Sequence, residues 1–322
     1  MRRRACIRDP GKRATRDEIY TRIVRKYLLT MHTSFIARNT KYFILISALF
    51  LVPGIYSLIR FGLKPSIDFT GGATLTLQLS KPVGDLSSIR KVVESKVHVS
   101  SLVHSGAQDI VVRTAPMDVT TKDTVEASLK TIDPNIRELS YETIGPTLGK
   151  ELLVKTGIGV VAAISLIIIY LAMRFPSPAF GVSAALAGVH DVLIILGTFS
   201  LLGHFYGVEV DVLFVTAILT VLSFSLHDTL IVYDRIRERM KKAASGQFGK
   251  IVDEAVLETI NRSLRNSLAV ILMLLVGVLL GGETLRWFLF ALLVGTITGT
   301  YSSICVALPI LVAWKRVTSK EK

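Results

Sequence analysis

The sequence predicts a polytopic α-helical membrane protein with six transmembrane helices and a small α+β, ferredoxin-like domain outside the membrane after the first helix. Hydrophobic residues make up 50% of the 322 residues and charged residues 20%. Several windows of about 18 or more residues carry almost no charge, and this length spans a bilayer. A polar stretch, residues 62–154, carries strand and helix patterns of its own. Together these observations exclude a secreted enzyme, a cytosolic dehydrogenase and a nucleic-acid-binding module as whole-chain interpretations.

The N-terminal segment, residues 1–41, is polar and strongly basic. It holds 12 Lys and Arg residues against three acidic ones. A nucleic-acid-binding arm is one interpretation of such a run. A basic cytoplasmic tail preceding a membrane span is the interpretation that we favour, because positive charge accumulates on the cytoplasmic side. We therefore expect no nucleic-acid partner.

The first apolar run, Tyr42–Ile59, predicts transmembrane helix 1 over residues 42–61. No small-residue cleavage pattern follows it, so we interpret it as a retained anchor and not as a signal peptide. A five-helix transmembrane region is predicted over residues 155–314. Its apolar runs are Lys155–Met173, Pro178–Gly203, Val210–Tyr233, Ser267–Gly281 and Trp287–Trp314.

The distribution of positive charge predicts that both termini are cytoplasmic. The proposed inner segments are 1–41, the turn at Arg174, the loop 234–266 and the tail 315–322, and they carry 12, 1, 8 and 4 Lys and Arg residues. The short outer loops, 204–209 and 282–286, carry one. Basic residues in short loops stay on the cytoplasmic side, so the 62–154 domain is expected outside.

The outer domain is predicted to follow the order βαββαβ. Strand-like alternation, helical spacing and the turn signals Ser105-Gly106 and Asp133-Pro134 give this order. The six predicted elements are Ala73–Leu79, Leu86–Val97, Ser100–His104, Asp109–Thr114, Thr121–Ile132 and Ile136–Ile144. This order is that of the ferredoxin-like split βαβ fold. The domain has no metal-ligand spacing, so we expect a binding or mechanical module without cofactor or metal.

Two carboxylates inside the apolar runs are candidates for function: Asp191, next to His190, and Asp228, next to His227. A charged group at mid-span costs roughly 2.5–3.5 kcal/mol, so it is a functional hypothesis by default. Arg262 is a candidate counter-charge for Asp228. A proton relay and a static structural pair remain equal alternatives for Asp228, whereas a structural role is favoured for Asp191. Both histidines are either relay members or, as we favour, satisfied residues of the bundle interior.

An enzymatic role is the least supported class. The chain has no His-Glu-x-x-His, no Gly-x-Ser-x-Gly and no phosphate loop of the Walker type. Any work that it performs must therefore draw on a partner or on an ion gradient. A proton that moves inward is driven by about 2.3 kcal/mol per 100 mV.

Five motifs carry a family resemblance. The segment Ser66-Ile67-Asp68-Phe69-Thr70-Gly71-Gly72 resembles the Gly-Ile-Asp-Phe-Thr-Gly-Gly signature of the SecF branch of the SecD/SecF family of protein-export membrane proteins. The other four occur in the family's order, and they are Gly188–Asp191, Ser225–Thr229, Tyr233–Glu238 and Gly299–Ile304. The chain departs from the family pattern at Ser66, Ser223 and His227, where Gly, Gly and Asn are usual.

The resemblance implies a fold and a set of partners. The family belongs to the resistance-nodulation-division superfamily, so this chain would be one half of a two-half bundle, with SecD as the other half of a heterodimer. The pair would assist the SecYEG channel in a prokaryotic plasma membrane. It would use the proton motive force on a translocating preprotein after the ATP-driven step of SecA. YajC and membrane lipids are further candidate partners.

The resemblance also implies residue roles. Asp228 and Arg262 fall on the family's proton-pathway positions, and Asp191 is a signature residue. His227, beside Asp228, could change the pKa of that carboxyl. Asp68, Gly71 and Gly72 lie at the root of the outer domain, where a hinge and an ordinary turn both remain open. The rival functions are a non-transporting scaffold of the translocon and half of a small-molecule exporter.

Overall fold

A computed structural model describes residues 35–80, 86–104, 108–175, 177–241 and 248–320. Most of the predicted basic tail, residues 1–34, lies outside these ranges. Helix α1, Phe35–Phe61, contains the first candidate membrane span, Tyr42–Phe61. A single turn of helix, α2, Ile67–Thr70, follows it outside the span.

The root of the outer domain is a tight backbone reversal at two glycines. Gly71 has φ +72° and Gly72 has φ +148°, a region that side chains with a Cβ rarely adopt. A Cβ added to Gly71 would lie 2.7 Å from Pro146 Cα. Both the backbone angles and the close approach therefore require glycine at this position.

The outer domain is a four-stranded antiparallel sheet with two helices. Its elements in chain order are β1 (Gly72–Gln78), α3 (Ser87–Glu94), β2 (Val99–His104), β3 (Asp109–Thr114), α4 (Val119–Leu129) and β4 (Arg137–Ile144). The strand order is β2-β3-β1-β4, which is the order of a ferredoxin-like sheet. The predicted βαββαβ fold is therefore confirmed.

The core of this domain follows from the alternation of the two central strands. Leu75 pairs with Val112, and Leu77 pairs with Ile110. These side chains are at most 1% exposed, and they form one cluster with the buried faces of both helices. Burial of each such side chain contributes about 1.5–3 kcal/mol. Opposite-facing positions such as Thr74 and Arg113 lie on the sheet face that the helices leave uncovered.

Five long helical segments complete the bundle. They are α5 (Pro146–Arg174), α6 (Pro178–Tyr206), α7 (Val212–Met240), α8 (Phe248–Leu280) and α9 (Glu283–Ser302), and a π-helical turn, Ser303–Ala307, continues α9 into α10 (Leu308–Lys320). Within the described ranges, six helices are long and apolar enough to cross a membrane. The chain is therefore a multi-pass membrane protein, as the sequence predicted.

The segment 234–266 differs from the predicted loop, because most of it is helical. Helix α7 continues to Met240 and α8 begins at Phe248. Ion pairs of Arg239 with Glu254 and Glu258 join the two helical ends. An apolar window detects only the part of a helix inside the membrane, so charged helical extensions are invisible to it.

Close helix packing on the outer side ties α1 to α6. A Cβ added to Gly197 would lie 2.4 Å from Gly54 Cα. The hydroxyls of Ser57 and Ser200 are hydrogen-bonded at 2.8 Å. Small residues allow backbones to approach in this way in a membrane. The first helix is therefore fixed to the bundle just below the root of the outer domain.

Candidate functional site

Asp191 lies at the centre of a buried polar network that joins three helices. Its side chain is fully buried on α6. One carboxylate oxygen, Oδ2, accepts hydrogen bonds from Ser225 Oγ of α7 at 2.5 Å and from Ser302 Oγ of α9 at 2.7 Å. The other oxygen, Oδ1, lies 3.0 Å from His190 Nδ1. Every oxygen of this carboxylate is therefore hydrogen-bonded.

His190 extends the network to a further side chain. Its Nε2 lies 3.1 Å from the hydroxyl of Tyr301, and the two rings meet edge to face. The imidazole is 5% exposed, as expected for a satisfied residue of the bundle interior. A buried polar network whose members are all paired makes the packing of its helices specific. The geometry at Asp191 suits a structural tie between α6, α7 and α9.

Asp228 lies on α7, about one turn after Ser225, and its environment differs from that of Asp191. It is 4% exposed, and its Oδ2 accepts a hydrogen bond of 2.6 Å from Ser263 Oγ on α8. Thr259, Ser263 and Ser267 lie four residues apart on α8, and all three are buried. The hydroxyl of Ser267 has no hydrogen-bond partner among the described residues. Asp228 thus faces a row of hydroxyls, which can both donate and accept hydrogen bonds.

The predicted pairing of Arg262 with Asp228 is not formed. Arg262 is exposed on α8, and the adjacent Ser263 occupies the position against the carboxylate. Consecutive residues of a helix point about 100° apart, so only one of the two can face α7. Among the described residues, Asp228 therefore has a hydroxyl partner and no cation at ion-pair distance.

His227 does not lie in the bundle interior, where the sequence analysis favoured placing it. It is exposed, because Asp228 next to it takes the inward-facing position on α7. Thr216, Thr220 and Ser223 line the same groove as His227 on the outside of this helix. The chain therefore presents a polar stripe on a membrane-spanning helix. The hydroxyls of Thr216 and Thr220 bond the backbone of their own helix, and the described residues leave Ser223 and His227 exposed.

At the outer end of α7, two carboxylates cap the helix. Asp211 Oδ1 accepts from Phe214 N at 2.7 Å, and Asp68 Oδ2, from the glycine-rich root, accepts from Val212 N at 3.1 Å. Burial, together with the nearby Asp68 carboxylate, raises the pKa of Asp211. The signature residue Asp68 is thus bonded directly to the helix that carries Asp228.

The sequence does not predict the hydroxyl partners of the two carboxylates. Ser225 and Ser302 lie within motifs that carry the resemblance, and Ser263 lies beside Arg262, the predicted counter-charge. Hydroxyls four residues apart near an intramembrane carboxylate were the available signal. Among the described residues, no group of three His, Cys, Asp or Glu side chains could hold a metal ion.

Comparison with protein families gives two matches. The family model described as protein export membrane protein SecD/SecF, C-terminal, matches residues 124–317. The SecD/SecF GG motif matches residues 56–83, which include Asp68, Gly71 and Gly72. The two matches cover the root of the outer domain and the region of both buried carboxylates.

Individual relatives agree with these families. The protein translocase subunit SecF of Thermobaculum terrenum is 37% identical over 85% of this chain and 91% of its own length. The protein translocase subunit SecDF of Thermus thermophilus is 33% identical over 79% of this chain and 35% of its own length. A crystal structure of SecDF from the same organism matches 88% of this chain and 38% of that chain, with a TM-score of 0.79 and 31% identity.

Proposed function

The chain belongs to the SecD/SecF family of protein-export membrane proteins, and we propose that it acts as the SecF subunit of a protein translocase. In this proposal it pairs with SecD and assists the SecYEG channel after the ATP-driven step of SecA, drawing on the proton motive force. Support comes from the SecF relative, which this chain matches over 91% of the relative's length. The relative named SecDF, of which this chain covers 35%, supports SecD as the missing half.

The polar stripe on α7 supports a partner helix at that face. Thr216, Thr220, Ser223 and His227 line one groove of a membrane-spanning helix. The threonine hydroxyls bond the backbone of α7 itself, so Ser223 and His227 are the polar groups whose exposure to lipid is costly and that favour a neighbouring helix. A transmembrane helix of the SecD subunit would cover this groove. His227 would then lie at the contact between the two subunits.

The proposed proton carrier is Asp228. The observation that carries this role is a buried carboxylate with one hydroxyl partner, against a row of hydroxyls and without a cation. Such a group can exchange a proton without breaking a buried ion pair. Arg262 and His227, both exposed, would complete the path at the subunit contact. Asp191 would brace the helices around it.

The proposal includes the orientation of the chain in the membrane. The chain would lie in the plasma membrane of a prokaryote with both termini in the cytoplasm and the ferredoxin-like domain outside. The basic N-terminal segment and the basic segment 234–266 support this orientation. Proton entry from the outside would then be driven inward by the membrane potential.

One observation favours a scaffold as the second candidate. Both oxygens of the buried Asp191 carboxylate are hydrogen-bonded, an arrangement that suits a static tie. If Asp228 were a tie of the same kind, the chain would hold a translocon together without transporting protons. Neutralisation of Asp228 would then leave export unchanged.

The experiment that tests the proposal is preprotein export into inverted vesicles that contain this chain with SecD and SecYEG. Asp228→Asn is compared with wild type, with and without a proton gradient, and Asp123→Asn serves as a control at an exposed carboxylate of the outer domain. We expect the gradient to stimulate export by wild type and by the control but not by Asp228→Asn. Equal stimulation of all three would favour the scaffold.

A further inference from the structure

Glu209 joins three separate parts of the chain through one carboxylate. It lies in the loop between α6 and α7, and its side chain is 10% exposed. Its Oε1 lies 3.4 Å from Lys64 Nζ, in the linker after α1, and its Oε2 lies 3.0 Å from Arg113 Nε, on strand β3 of the outer domain. Each carboxylate oxygen therefore pairs with a different cation.

Arg113 is held in place for this contact by its own strand neighbour. Its Nη1 donates a hydrogen bond of 3.3 Å to Ser101 Oγ on β2. Arg113 belongs to the sheet face that the two helices of the domain leave uncovered, so this face lies against the α6–α7 loop. An exposed ion pair contributes little, whereas a shared carboxylate that is largely withdrawn from water forms a network of greater strength.

The same loop is bonded to the linker through the backbone. Ser66 N donates to Val210 O at 2.9 Å, and Val210 N donates to Lys64 O at 2.8 Å. Helix α7 begins immediately afterwards at Val212 and continues without a break to Asp228. At a rise of 1.5 Å per residue, the 16 residues between them span about 24 Å. The helix is thus a continuous rod from the Glu209 loop to the buried carboxylate.

We propose that Glu209 is a positioning residue: its contact with Arg113, called the latch below, holds the outer domain against the N-terminal end of α7. The outer domain and the helix that carries Asp228 then move as one body. The glycine-rich root fixes the linker to α7, and the Arg113–Glu209 contact fixes the sheet to the same point. The inference rests on the proposed function for its consequence in export, because a displacement of α7 on protonation would then reach the outer domain directly.

The test is a distance measurement by pulsed electron paramagnetic resonance on the full chain with SecD in nanodiscs. Nitroxide labels are attached at Lys96→Cys on the outer domain and Tyr206→Cys at the end of α6, in a background with Cys6→Ser and Cys305→Ser. Both labelled positions are exposed. The latch variants are Glu209→Gln and Arg113→Gln, alone and combined. Glu94→Gln, which removes the exposed Arg90–Glu94 pair on α3, is the matched control.

We expect a narrow distance distribution in wild type and in the Glu94→Gln control, and a shifted, broader one in Glu209→Gln. The double variant should broaden no further than Glu209→Gln alone, because both substitutions remove the one Arg113–Glu209 contact that joins the sheet to the loop, whereas the Lys64–Glu209 pair does not involve the outer domain. An unchanged distribution in Glu209→Gln, or additive effects in the double variant, would overturn the latch. No gradient or preprotein is present, so a failure of the proposed export role would leave this result unaffected.

Discussion

Ser263 on α8 donates a hydrogen bond of 2.6 Å to Asp228 on α7, in the position where the sequence predicted the guanidinium of Arg262. The contact is buried on both sides. A serine hydroxyl stabilises a carboxylate without fixing its charge as an arginine would. On this relationship rests our proposal of a transport role for Asp228 and a structural one for Asp191.

Replacement of Ser263 by alanine should weaken the α7–α8 contact and the response to the gradient together. The loss of a buried hydrogen bond to a charged group costs about 1.5–3 kcal/mol. Thermal unfolding in detergent and gradient-stimulated export measure the two effects. Thr198→Val is the matched control, since it removes a hydroxyl on α6 that donates to Ile194 O of its own helix, away from Asp228, and its removal should cost little. Equal losses in the two variants would contradict the assignment of the contact to Ser263.

Replacement of Asp191 by alanine should destabilise the bundle more than any change to its exposed surface. The hydroxyl of Ser225 would lose its acceptor, at about 1–3 kcal/mol for an unsatisfied buried group, and that of Ser302 would lose its bond to Asp191 and retain a 3.3 Å bond to Gly299 O. We expect a clear fall in the melting temperature of the purified protein. Asp123→Asn, on the exposed surface, should leave it within a degree or so of wild type, because such substitutions change stability by about 0.5 kcal/mol or less. A melting temperature unchanged by Asp191→Ala would refute the structural role.

Replacement of Gly71 by alanine should prevent correct folding of the outer-domain root. The residue has φ +72°, and the new Cβ would lie 2.7 Å from Pro146 Cα. With ψ 158° the residue lies in a backbone region that is essentially restricted to glycine, and a residue with a Cβ there costs on the order of 1–3 kcal/mol. Limited proteolysis of the outer domain in membranes is the measurement. Gly145→Ala is the control, because its Cβ would meet no atom within 4 Å. If both variants resist proteolysis as wild type does, the root does not require glycine.

The N-terminal end of helix α4, which Asp118 caps, should lose stability in acid. Hydrogen bonds from Thr121 and Thr120 lower the pKa of this N-cap carboxyl to about 2. Because its folded pKa lies below the unfolded value of about 3.9, its contribution to stability is complete above pH 4 and is lost as the pH falls towards 2. The melting temperature of the full chain should fall slightly more between pH 5 and pH 3 in wild type than in Asp118→Ala, which lacks the capping carboxylate. An equal fall in both proteins would exclude this contribution of Asp118.

The sequence was sufficient for the elements of the fold because they depend on local patterns. Alternation in β1 and turn signals gave the ferredoxin-like order, and long uncharged runs gave the six spans. The sequence did not predict which face of each membrane helix points into the bundle, because helices that are apolar on nearly all sides lack a clear inward face. The outward position of His227 and the choice of Ser263 over Arg262 depend on which face points inward. The charged helical ends, up to Met240 on α7 and from Phe248 on α8, are joined by ion pairs between residues far apart in the sequence.

The most direct test of a proton-carrying Asp228 is proton flux into proteoliposomes that contain this chain with SecD, followed with a pH-sensitive dye under an imposed membrane potential. Wild type is compared with Asp228→Asn and with Asp123→Asn, the matched change at an exposed carboxylate of the outer domain. We expect flux to persist in wild type and Asp123→Asn and to fall to the level of empty liposomes in Asp228→Asn. Flux in Asp228→Asn equal to wild type, with both proteins assembled, would contradict a proton-carrying Asp228.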